Sequence, residues 1–273
     1  MDPLRFNYKL ATQPFDVLEA LLSAESEEWQ AMETYYVQQF IKRLQAEDQV
    51  DETRLGKLEF GFLPILSKHT VRASTLERLL ARDPKFFVDC LKLLYRPRHE
   101  VEDKEPKERD AQDAQRATLL RRLLNEWQQI PGTQPDGSIS TSELSNWVTA
   151  ARIAAREVDR LEVCDIKIGE VLAHAPSDEE GVKPCVPIRE IIETYESDEI
   201  VSGFKIGLYN LRGPEWKGLY EGGQNERELA ASYERYAKAC ETRWPRTAAA
   251  LRSLAETYLH EAEREDAEVR MRE

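Results

Sequence analysis

The sequence predicts an all-α protein, an irregular stack of helical hairpins of the α-solenoid-like or multi-helix-bundle kind. Three observations carry that prediction. Apolar residues recur at three- and four-residue steps over most of the chain, the period of an amphipathic helix. Ser, Thr, Asp or Pro stands at the head of successive segments, often followed by Glu or Asp in the first turn. Pro and Gly punctuate the joints between segments, and almost nothing reads as a strand.

In chain order, Pro14 opens a short helix through Phe15 to Leu22, where its missing N–H costs nothing. Ser26 then caps a helix to about Ala46, with Trp29, Met32, Tyr36, Phe40 and Leu44 on one face. Leu58 to Leu66 contains Pro64 and reads as a kinked or broken helix. Ser74 and Glu77 have the spacing of a capping box. The helix they open should stop near Arg82, because Asp83 precedes Pro84. Pro84 begins the partner helix, with Phe87, Cys90, Leu91 and Leu94 on its buried face, completing an αα-hairpin.

Residues 101–113 are charged and nearly devoid of apolar side chains, which predicts a flexible loop between an N-terminal lobe, 1–100, and a C-terminal lobe, 114–273. Whether the two lobes form one globule stays open. Helix should resume near Ala111, bury Leu120, Leu123, Leu124 and Trp127, and end at Ile130-Pro131-Gly132. Thr141-Ser142-Glu143 caps a helix carrying Leu144, Trp147, Val148 and Ala151. Further helices follow from Cys164 to His174, around Ile188 to Tyr195, and from Ser197 to about Leu211. The last two hold Leu229, Tyr233, Tyr236, Cys240 and Trp244 on one stripe, then Leu251, Leu254, Ala255, Tyr258, Ala262 and Val269 after Pro245. The charged tail from Glu261 should project into solvent or serve as a docking surface.

Composition narrows the function. The 273 residues are enough to bury a sizeable core, and 51 acidic against 38 basic residues leave a net charge of -13. That balance opposes a generic polyanion binder. No apolar run reaches the roughly 20 residues of a membrane helix, and Met1-Asp2-Pro3-Leu4-Arg5-Phe6 leads into no apolar signal core, so no membrane association is expected. Four scattered Cys predict reduced thiols and a cytoplasmic setting.

Motifs that carry chemistry are sparse. Asp136 to Leu144 matches the second half of an EF-hand loop at Gly137, Ile139 and Glu143, but Gly132 and Gln134 stand where oxygen ligands are needed, so a Pro-Asp-Gly turn is expected. Cys164, His174 and Cys185 are too loosely spaced for zinc, and His260 lacks its zincin partner because Arg264 stands there. Neither a metal nor a cofactor is expected, and no catalytic residue is assigned. Gly222-Gly223 ahead of Gln224 offers either an anion seat at a helix start or a permissive joint. Asn210, Arg212, Glu226 and Arg227 are the most pointed polar group, either a partner-recognition cluster or a brace across the loop. Arg72, Arg78, Arg82, Lys85, Lys92, Arg96 and Arg98 gather around the first hairpin. They form either a nucleic-acid face or a solvated one interleaved with Glu77, Asp83 and Asp89.

Several stretches occur in one order: Leu58-Glu59-Phe60-Gly61-Phe62-Leu63-Pro64, Arg82-Asp83-Pro84-Lys85-Phe86-Phe87, Ile168-Gly169-Glu170-Val171-Leu172-Ala173-His174, Asn210-Leu211-Arg212-Gly213, Glu221-Gly222-Gly223-Gln224-Asn225-Glu226-Arg227 and Trp244-Pro245-Arg246. From Leu58 onward the chain thereby resembles the C-terminal helical region of very large bacterial proteins. Some of those are described as addiction-module or helix-turn-helix regulators, and some are encoded near phage-defence genes. The resemblance brings no catalytic signature. It implies a fragment or separately made subunit of a larger assembly. The leading expectation is therefore a non-enzymatic scaffold or interaction module with a protein partner, which the resemblance places in an anti-phage defence assembly. The alternative is a nucleic-acid-associated regulator using the basic hairpin. A third, a cryptic enzyme, would need Glu226, Arg212 and His174 gathered in a cleft.

Overall fold

Apolar stripes at helical spacing fold into twelve helices with no strand among the described residues, an all-α multi-helix bundle. The structure is a computed structural model that describes residues 14–23, 31–66, 70–99, 111–213 and 222–272. It divides into two compact units. The first holds α1 (Pro14–Ser23), α2 (Ala31–Gln45), α3 (Glu52–Gly61), most of α4 (Ser74–Arg82) and α6 (Ala111–Glu126). The second holds α5 (Pro84–Leu94) and α7 (Thr141–Glu157), α8 (Leu161–Leu172), α9 (Val186–Tyr195), α10 (Asp198–Asn210), α11 (Gln224–Cys240) and α12 (Pro245–Arg272).

This partition differs from the expected lobes, 1–100 and 114–273. The boundaries fall at 80/81, 103/104 and 127/128, so the chain leaves the first unit, returns to it through α6 and leaves again. The expected αα-hairpin is cut at its turn, α4 belonging mainly to one unit and α5 to the other. Of the expected loop at 101–113, residues 101–110 lie outside the described residues, and 111–113 are already the first turn of α6. The expected cap at Ser26 also lies outside the described residues.

In the first unit, α1, α2 and α3 pack together and bury Leu18, Val37, Ile41, Leu44, Leu55 and Leu58. Arg54 of α3 ties α1 down through Glu19 at 2.6 Å and Asp16 at 2.8 Å. α3 ends at Gly61 and Phe62–Ile65 turn, so Pro64 breaks the segment rather than kinking it. The capping box at Ser74 does not form. Glu59 of α3, fully buried, instead accepts the N–H groups of Thr75 and Leu76 at 3.1 and 2.9 Å. Glu77 meanwhile pairs with Arg72. A carboxylate from a neighbouring helix has replaced the local cap, which no local sequence rule anticipates.

In the second unit Asp83 caps α5, accepting from the N–H groups of Lys85 and Phe86, with Pro84 at the first position. α6 of the first unit ends at Glu126, four residues before Ile130, and Ser140 rather than Thr141 caps α7. α8 begins at Leu161, one turn earlier than Cys164. α8 and α10 run side by side in the same direction at backbone contact. A Cβ added at Gly203 would lie 2.0 Å from the carbonyl oxygen of Ile166, and one at Gly169 would lie 2.2 Å from that of Ile200. Only glycine permits that approach. α11 packs along α12. The tail beyond Glu261 is anchored rather than projecting, since Ala262 is buried and Asp266 accepts the N–H of Gly223 at 2.8 Å.

Candidate functional site

Three arginines at four-residue steps, Arg152, Arg156 and Arg160, lie along the last turns of α7 and just beyond it. Cations there face the negative end of the helix dipole. α7 closes with Asp159 in the left-handed region, φ 56, and the N–H of Arg160 returning to the carbonyl of Ala155. The chain then turns at once into α8. Because α8 and α10 are parallel, their N-terminal ends stand side by side next to the arginine stripe.

The result is a cleft of about 750 Å³ within the second unit. Arg96 and Arg98, which follow α5, complete its basic lining. The junction is braced: Arg98 pairs with Glu162 at 2.9 Å, Arg160 donates to the carbonyls of Tyr95 and Val158, and Asp159 accepts both the backbone N–H and the ring Nδ1–H of His99. The two His99 donors hold the Asp159 carboxyl below its usual range.

Asp165, on the second turn of α8, is the buried charge of the cleft, its side chain 3 % exposed. Its Oδ2 accepts from the Ser197 hydroxyl at 2.7 Å and pairs with Arg152 at 3.2 Å. Its Oδ1 is buried with no hydrogen-bond partner. Burial pushes this carboxyl above its usual value, against the Ser197 hydrogen bond and the Arg152 charge. Arg152 lies 5.0 Å over the ring of Tyr195, whose hydroxyl bonds the Thr149 hydroxyl and the Ser145 carbonyl. Ser197 also caps α10, accepting from the N–H of Ile200. Among the described residues no side chain caps α8, whose first residues, Leu161, Glu162 and Val163, line the cleft. Arg96 and Arg156 are exposed and form no ion pair among the described residues, although the Arg156 charge acts on the Asp165 carboxyl.

Asn210, Arg212, Glu226 and Arg227 sit where α10, α11 and α12 meet. Arg212 pairs with buried Glu226 and, at 3.3 Å, with Glu261, and it lies 5.6 Å over the ring of Tyr258. Tyr209 donates its hydroxyl to the same Glu261 and stacks on Tyr258. Arg227 pairs with Asp266. Asn210 is exposed at the end of α10. His174 lies just beyond α8, its N–H on the Val171 carbonyl. The Gly222-Gly223 joint is occupied by Asp266 of α12.

The seven basic residues of the expected nucleic-acid face are divided between the two units. Arg72 is held by Glu77, Arg78 reaches Glu52 and the Thr75 hydroxyl, and Lys92 pairs with Asp89. Arg72 and Arg78 belong to the first unit. Arg82, Lys85, Lys92, Arg96 and Arg98 belong to the second, where the last two line the cleft.

At the EF-hand-like stretch, Gly137 turns the chain at φ 84. Asp136 accepts from the N–H and hydroxyl of Ser138, and Glu143 accepts from Gln134. Cys164 and Cys185 are buried, and burial pushes both thiols up, away from the thiolate a metal needs. Among the described residues no three His, Cys, Asp or Glu side chains gather to hold a metal ion, and no helix is long and apolar enough to cross a membrane.

No family model matches the chain, and no curated protein or solved structure matches it either. The cleft residues Arg152, Arg156, Asp165 and Ser197 escaped the sequence motifs. Their one legible signal is the four-residue arginine spacing, which puts three cations on one helical face.

Proposed function

We propose that the chain is a non-enzymatic interaction module, a scaffold or subunit of a larger bacterial assembly, which recognises an anionic element of a protein partner through the arginine cleft. The observation that carries this reading is the state of the cations. Those of the α10–α12 junction are closed onto their own carboxylates, whereas Arg96 and Arg156 stand exposed at a cleft with no ion pair among the described residues. Arginine is the side chain best suited to hold a carboxylate at such a surface. The resemblance to large bacterial proteins, some encoded near phage-defence genes, favours an assembly of that kind. Nucleic acid is the weaker reading, because six carboxylates line the same cleft and oppose a phosphate backbone.

The test is affinity capture from bacterial lysate with wild type and the Arg96→Glu/Arg156→Glu variant, with and without nuclease. A specific protein retained after nuclease by wild type and lost by the variant is the expected result. Recovery of nucleic acid, or equal retention by both proteins, would contradict it.

A further inference from the structure

The cleft offers two unlike groups on one helix, and together they specify an end of a polypeptide; this inference rests on the cleft being the partner site. The first group is the open N-terminus of α8. The leading N–H groups of a helix have no acceptor within it, and the dipole there favours an anion. Among the described residues no side chain supplies that acceptor in α8, and the N-terminus of parallel α10 lies alongside. Arg156 adds an exposed guanidinium with no ion pair among the described residues, near enough for its charge to act on Asp165. The second group is Asp165, one turn further along α8, lining the same cleft with its Oδ1 buried and unpartnered. A buried acceptor without a donor is costly, so it is a place where a ligand's N–H or O–H gains most.

One helical turn is about 5.4 Å. An extended peptide advances about 3.3–3.6 Å per residue. A terminal carboxylate on the first group therefore brings an amide N–H from the last residues within reach of the second. Charge selects against the phosphate alternative. Five arginines face six carboxylates in the cleft, a slightly negative lining that opposes a group carrying about two negative charges more strongly than a single carboxylate. We propose that the cleft binds the free C-terminus of a partner protein, with the carboxylate on the α8 N–H groups and Arg156 and a terminal amide N–H on Asp165 Oδ1. Capture of a chain terminus by open backbone N–H groups is an established recognition mode.

The test uses the full chain and three matched arrays of short peptides: free C-termini, amidated C-termini, and free C-termini N-methylated at the last amide. Binding to the first array, weakened about tenfold or more by either modification and by Arg156→Ala, is expected. N-methylation probes Asp165 without altering the protein. Equal binding of free and amidated peptides overturns the proposal, as does displacement of peptide by inorganic phosphate, a mononucleotide or free amino acids. An array without any bound peptide, alongside a lysate partner that still depends on Arg156, removes the C-terminus and spares the interaction module. A discriminating array with no such lysate partner keeps the site and removes the assembly.

Discussion

Two places in the second unit are built from the same three parts and differ in what is left open. Each has a buried carboxylate, an arginine paired to it and a tyrosine ring beneath the guanidinium: Asp165, Arg152 and Tyr195 at the cleft, Glu226, Arg212 and Tyr258 at the α10–α12 junction. At the junction a second carboxylate, Glu261, joins Arg212, and Tyr209 donates to Glu261, so the charges close on one another. At the cleft Arg156 is exposed and forms no ion pair among the described residues, its charge reaching Asp165 only from a distance. One buried carboxylate oxygen at each site, Asp165 Oδ1 and Glu226 Oε2, accepts no hydrogen bond among the described residues. The same chemistry therefore acts as a brace in one place and as a receptive surface in the other.

The largest effect should come from the closed site. Arg212→Ala removes the arginine paired with Glu226, which is 1 % exposed, and should lower stability by about 3–5 kcal/mol in denaturant titration. Adding Glu226→Gln should recover most of that loss, and no recovery would show that Arg212 acts through packing alone. Next comes the frame of the open site. Gly203→Ala drives a Cβ into the Ile166 carbonyl and should cost about 3 kcal/mol, the upper end of overpacking. It should also separate Asp165 from Ser197 and abolish partner retention.

A pH series distinguishes the sites further. Burial, ahead of its hydrogen bond and ion pair, raises the Asp165 pKa in the folded state. Protonation therefore favours folding. The stability of wild type relative to Asp165→Asn should rise as pH falls through the folded-state value, level off below the unfolded value, and be lowest at neutral pH. A difference independent of pH would place the Asp165 charge in solvent. The smallest effect on stability belongs to Arg156→Ala, within about 0.5 kcal/mol, as for an exposed side chain outside any network.

The all-α architecture was legible because apolar spacing, Pro at helix starts and Asp or Ser caps act locally. Asp83 with Pro84, Ser197 and Pro245 all mark helix starts as their chemistry dictates. What escaped depends on distant residues. Glu59 caps α4 from another helix, so the Ser74 capping box was a correct local rule overridden by packing. The two lobes expected on either side of 101–113 gave way to units that interleave through α6, which no composition shift marks. The pairing of Arg212 with Glu226 follows from residues near in sequence across one loop. The cleft does not. It exists because Gly169 and Gly203 bring α8 and α10 into contact and set their N-termini beside Arg152 and Arg156.

The most direct test of the open-versus-closed distinction sets two single charge reversals against each other. Arg156→Glu alters the cleft, and Arg227→Glu alters the junction, where Arg227 pairs with Asp266. Retention of the nuclease-resistant partner is measured for both, with thermal unfolding as a check on folding. The account predicts that Arg156→Glu loses the partner at unchanged stability and Arg227→Glu keeps it. Loss on Arg227→Glu with retention on Arg156→Glu would contradict it and place recognition at the junction.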